Sequence, residues 1–207
     1  MRRSLTREQR IQLAEAALAE NRIVQNSWRL VVEGRELVCA LAAFGPDDIG
    51  RLRTPKACPA DLMPEWVAGL IPVMDDCIRT DMVDWFMAEL IARVKRWHIL
   101  DEAAWSRIAS EVVKRFGLPS SVDQTSLIGY QAARALSSSL PKQMGEQAEI
   151  KIDQFFALVD AELDRAESAA KPMDLDQFGL KDGLNMPSAA PQPQPRQSGK
   201  RQRIQTT

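Results

Sequence analysis

The sequence predicts a mainly α-helical fold, a single helical domain over residues 4–168 with about six or seven helices, followed by a disordered Pro/Gln-rich basic tail over 169–207. Three observations predict it. Apolar residues recur at three-to-four spacing in long stretches up to residue 168, capping residues stand ahead of several of those stretches, and the apolar pattern stops at Ala169.

Thr6 precedes Gln9 by three, the spacing of a capping box, and Leu5 occupies the staple position. A helix is expected from there, with Ile11, Leu13, Ala14, Ala17 and Leu18 apolar, ending near Asn21 or Arg22. Residues 28–44 carry two competing patterns. Trp28, Leu30 and Val32 alternate ahead of Glu33-Gly34, which suits a β-hairpin over 28–41. Leu37, Val38, Ala40, Leu41 and Phe44 instead fit one face of a buried helix over 36–44, and the helix is preferred because alanine is poor in strands.

Residues 45–59 read as loop, punctuated by Pro46, Gly50, Pro55 and Pro59. Pro64 suits the first turn of a short helix through Trp66, Val67, Leu70 and Ile71, which Pro72 is expected to end. Thr80 or Asp81 caps a stronger helix bearing Met82, Trp85, Phe86, Leu90, Val94 and Trp97. Asp101 caps the next, with Trp105, Ile108, Ala109, Val112 and Phe116 inward and Gly117 just past its end. Asp123 opens another through Leu127, Ile128, Tyr130, Ala133 and Leu136, stopped by Pro141. The last runs over 142–168 with Ile150, Ile152, Phe155, Phe156, Val159 and Leu163 apolar.

Beyond residue 168 the composition turns to Pro, Gln and Ser, which cannot bury enough apolar surface to offset its conformational entropy. A short docking segment over 173–184, with Met173, Leu175, Phe178, Leu180 and Leu184, is the exception.

The formal net charge of −1 excludes a whole-molecule field for nucleic acid or an anionic membrane. Its distribution is uneven, because the tail carries +3 and leaves −4 on the folded part. Cys39, Cys58 and Cys77 are odd in number, far apart and set among apolar residues, which reads as reduced thiols. With no apolar signal segment and no apolar run of about 20 residues, a cytoplasmic chain without membrane contact is expected.

Candidate chemistry is sparse. His98 has no second histidine as a fellow metal ligand, so capping or surface packing is its expected role. Adjacent Asp75 and Asp76 are the most enzyme-like pair, yet neighbouring side chains diverge and no second acidic cluster adjoins them, which favours a role at a helix start or in a loop. A Cys39 nucleophile with His98 as base is the least specific option. Residues 108–133 allow a helix-turn-helix with Gly117 in the turn, but its second helix offers only Arg134 as a base. The five tryptophans are expected mostly in the core, the alternative being that one or two are exposed anchors for a partner.

The expected function is that of a non-catalytic protein-interaction factor, an adaptor, inhibitor or accessory protein, acting through an apolar helical surface and the tail. Candidate partner-binding residues are Phe178, Leu180, Arg196, Lys200, Arg201 and Arg203; no catalytic, cofactor-binding or metal-binding residue is assigned, and another protein is the expected partner. The alternatives are a nucleic-acid-associated regulator using the basic tail and the 123–133 helix, and a metal-dependent hydrolase centred on Asp75 and Asp76.

Overall fold

Thr6 and Gln9 close the expected capping box: the Thr6 N–H donates to Gln9 Oε1 at 2.9 Å and the Gln9 N–H to Thr6 Oγ1 at 3.3 Å. This starts α1 (Arg7–Ala19), which buries Ile11, Ala14 and Ala17. The computed structural model describes residues 5–45, 62–123, 125–140 and 145–170. The expected loop over 46–59, the tail and its docking segment lie outside the described residues, as do Cys58, Phe178, Leu180, Arg196, Lys200, Arg201 and Arg203.

Residues 28–44 form the hairpin and not the preferred helix. Strands β1 (Arg29–Val32) and β2 (Arg35–Val38) pair antiparallel with Val32 opposite Arg35, leaving a two-residue turn. Both turn residues adopt positive φ, 53° at Glu33 and 80° at Gly34, the backbone twist that matches paired strands. The alanines that argued against a strand lie beyond it, in a buried stretch ending in a short 3₁₀ turn, Ala42–Phe44. All four residues of β1 are exposed.

Helix α2 (Glu65–Cys77) starts after Pro64 as expected but runs through Pro72. Proline removes the hydrogen bond to the Ala68 carbonyl. Burial of Ala68, Leu70, Ile71, Met74 and Asp75 on both sides of it holds the helix together nonetheless. Thr80 and Asp81 lie in a 3₁₀ turn, Thr80–Met82, and do not cap a helix; α3 (Val83–Val94) begins one turn later, and Trp97 belongs to a second 3₁₀ turn, Trp97–Ile99.

Helix α4 (Glu102–Phe116) matches its sequence signals closely. Asp101 accepts the Ala104 N–H at 2.7 Å, and Gly117 ends the helix at φ 74°. Helix α5 (Ile128–Ser139) starts later than expected, because Asp123 spends its carboxylate on a turn, accepting the Thr125 N–H at 2.9 Å and hydroxyl at 2.7 Å. Helix α6 (Glu146–Ala170) buries Ile152, Phe155, Phe156, Val159 and Leu163, whereas Ile150 faces solvent.

Helices α2, α4, α5 and α6 pack together, with α1 laid against α3. At the centre Phe86 stacks on Phe156, with ring centroids 6.0 Å apart. Buried charge is paired. Arg93 lies over the Phe156 ring at 4.3 Å and binds Glu89 at 2.5 Å and Asp160 at 2.8 Å. Glu149 accepts from the Arg79 backbone at 3.3 Å and its Nε at 2.9 Å. Glu162 takes Arg107 at 2.9 Å and also Arg165, which keeps its carboxyl below the usual range. Arg7 reaches from α1 to the last carbonyls of α3, donating to Val94 at 2.8 Å and to Lys95.

Candidate functional site

Helices α2, α4 and α5 meet around a solvent-facing groove of about 1030 Å³. Its floor is aromatic. Trp66 of α2 meets Trp105 of α4 edge-on at 6.1 Å, and Trp105 meets Trp97 at 5.3 Å. Such perpendicular pairs satisfy the ring quadrupoles and hold each indole in one orientation. The buried Trp97 Nε1–H has no acceptor.

The α5 wall is set by a close approach. Gly129 lies so near Trp66 that a Cβ there would fall 2.5 Å from the indole Cδ1, so only glycine lets α5 come this close. The same approach turns two large side chains outward at the lip: Leu127 is 84% exposed and Tyr130 53% exposed. Both were expected inside the helical core. Neighbours three and four apart on α5, including Gln131, Ala132, Ala135 and Leu136, face the core in their place. Glu65 and Glu102, in the first turns of α2 and α4, stand at the rim with His98, Arg134 and Ser106. Among the described residues neither glutamate forms an ion pair. Each complements the positive end of its own helix.

The structure separates the other candidates. His98 is exposed, and its Nδ1 donates to the Lys95 carbonyl at 3.1 Å, a role at the end of α3 that agrees with the capping expectation. Cys39 is buried with its Sγ accepting the Ala42 N–H at 3.4 Å. Burial pushes its thiol up to about 11, the opposite of an activated nucleophile. Asp75 and Asp76 are in the last turn of α2 and not at a helix start. Asp75 Oδ2 accepts the Ala40 N–H at 3.1 Å and Asp76 Oδ1 the Asn26 N–H at 2.6 Å, so the pair faces two different parts of the chain. No group of three His, Cys, Asp or Glu is placed to hold a metal ion among the described residues. Helix α5 presents Arg134 as its one basic residue.

Sequence patterning overlooked the groove because its three walls are distant in the chain. Two local signals pointed toward it: the small residues Gly69 and Gly129 inside or at the start of helical patterns, where glycine costs about 1 kcal/mol against alanine, and three tryptophans beside them. No described helix is long and apolar enough to cross a membrane. Compared with family models, curated proteins and solved structures, the chain matches none.

Proposed function

We propose that the chain is a non-catalytic protein-interaction factor whose groove between α2, α4 and α5 receives the apolar face of a partner's helix. The observation that carries this reading is the outward setting of Leu127 and Tyr130 beside an aromatic floor. A large, well-formed apolar concavity with few convergent polar groups is the usual form of a binding site. Aromatic side chains in such a setting supply most of the binding energy of protein interfaces. The two rim carboxylates, Glu65 and Glu102, against the single Arg134, favour a partner helix with basic flanking residues. The tail residues Arg196, Lys200, Arg201 and Arg203 would add long-range attraction to an acidic region of the same partner. The buried, unoxidised Cys39 supports a cytoplasmic setting for this encounter.

The reading is tested with synthetic amphipathic helices of about 18 residues, one built of Leu and Lys and one of Leu and Glu, titrated into the full-length chain by calorimetry. Binding of the Leu/Lys helix, weakened about tenfold when Leu127 and Tyr130 are both replaced by Asp, is the expected result. Equal binding by the two helices would retain the groove and remove the charge preference. No binding by either would overturn the proposal.

A further inference from the structure

We propose that Asp75 is a proton-operated latch, holding Ala40 and the backbone beside it onto α2 while its carboxyl is neutral and loosening that hold when it ionises. The carboxyl is wholly shielded, at 0% exposure. One oxygen accepts the Ala40 N–H at 3.1 Å, and the other, Oδ1, has no partner among the described residues. A neutral carboxyl in that position leaves at most one weak demand unmet. An ionised one has a single hydrogen bond where a carboxylate in water has several.

Apart from the Ala40 hydrogen bond, the surroundings act against ionisation. Asp75 lies in the last turn of α2, where the unpaired carbonyls of a helix present partial negative charge. Among the described residues the ionisable groups facing it are Asp76 on its own helix and the Cys39 thiol on the segment packed against it, and neither supplies positive charge. Gln25, the remaining polar neighbour, spends its amide on the Asp75 and Ile78 carbonyls at 2.6 and 3.0 Å. Burial accordingly lifts Asp75 from the ordinary carboxylate range to about 7, with Asp76 adding to the rise and the Ala40 hydrogen bond opposing it.

Ionisation therefore calls for water at Oδ1, beside the oxygen that holds the Ala40 N–H. Residues 39–44 are themselves buried, so what ionisation loosens is the contact around Ala40 and not the packing of the whole segment. Beyond Ala40, the hairpin region is tied to the end of α2 by the polar contacts of Gln25 and Asn26, and Thr80 Oγ1 donates to Gln25 Oε1 at 3.0 Å. β1 contributes no buried residue to resist displacement. The latch is closed at mildly acidic pH and opens as pH rises through about 7. It operates whether or not the groove binds a helix.

Two NMR measurements on the full-length chain test this. The Asp75 ¹³Cγ shift should titrate with a midpoint near 7. Amide protection factors at Cys39 and Ala40, corrected for intrinsic exchange, should fall about tenfold between about pH 6 and about pH 8.5, and should not fall in Asp75→Asn, which keeps an acceptor for Ala40 without the charge. A midpoint below about 5, or an equal loss of protection in wild type and Asp75→Asn, would overturn the latch. Should the variant fail to fold, the wild-type titration decides alone.

Discussion

Replacing Gly129 with alanine asks whether the groove is held by the close approach of α5 to α2. The new Cβ would lie 2.5 Å from Trp66 Cδ1 and 2.9 Å from Cγ, against an ordinary contact beyond 3.4 Å. These atoms are at the root of the indole, and the ring is flanked edge-on by Trp105 at 6.1 Å and Phe155 at 6.3 Å, so it cannot swing clear alone. The helices must separate by roughly 1 Å, an overpacking that costs about 1–3 kcal/mol. Alanine returns up to about 1 kcal/mol of helix propensity, and less in a first turn. A net loss of about 1–2 kcal/mol remains, which in a domain of this size lowers the melting temperature by roughly 2–8 °C. Circular dichroism melts read the loss, and red-shifted tryptophan emission reads the opening around Trp66. The companion variant Trp66→Leu should make the same alanine nearly neutral, because the clashing ring is gone. A Gly129→Ala chain that melts at or above the wild-type temperature with unchanged emission would refute the close-approach argument.

Three further outcomes follow from buried and paired groups. Because Asp75 ionises near 7 in the fold and near 3.8 when unfolded, its contribution is fully present below about pH 4 and is lost as pH rises through 7, an effect of up to about 4 kcal/mol. Urea unfolding of wild type and Asp75→Asn across that range should converge at low pH and diverge at high pH, with the variant the more stable. Glu162 behaves oppositely. Its carboxyl is held down by Arg107 and then Arg165, so its stabilisation is present above the normal glutamate range and fades as pH falls below it; Glu162→Gln should cost about 1 kcal/mol at neutral pH, the exposure of both arginines keeping the figure small. Iodoacetamide at pH 8 should leave Cys39 unmodified in the folded protein and alkylate it once urea unfolds the chain, because the thiol is buried and pushed up to about 11; equal rates in native and unfolded protein, read by peptide mass spectrometry, would contradict the burial.

What was legible in the sequence was whatever acts within four residues. The Thr6–Gln9 box, the Asp101 cap and the Gly117 terminus each form between near neighbours, and each is where its residues place it. The misreadings arose where distant contacts outweighed local preference. Pro72 reads as a stop, but the burial of Ile71 and Met74 on either side carries α2 past it. The Glu33-Gly34 turn is where its residues place it, but Ala40, poor in strands, drew the reading toward a helix over 36–44 that the buried 39–44 stretch does not form. Asp123 looks like a cap, and satisfies Thr125 instead. The acidic pair was visible, yet its meaning was not: Ala40 and Asn26, whose N–H groups donate to the two carboxylates, lie more than thirty residues upstream. For the groove, only its tryptophans and glycines could be seen, since nothing local places Trp66 against Gly129.

Pro72 gives one wall of the groove a mechanical property that the other two lack. Among the described residues it is the one proline inside a helix, so α2 is a beam with a missing rivet: the rung that should reach back to the Ala68 carbonyl is absent, and stiffness is lowest there. Trp66 and Leu70 ride on the span before this weak rung, and Asp75 on the span after it. A bend at that point would move Trp66 relative to the hairpin anchorage while Trp97 and Trp105, carried by other elements, stay in place. The wall that Gly129 packs against is thereby the compliant one of the three.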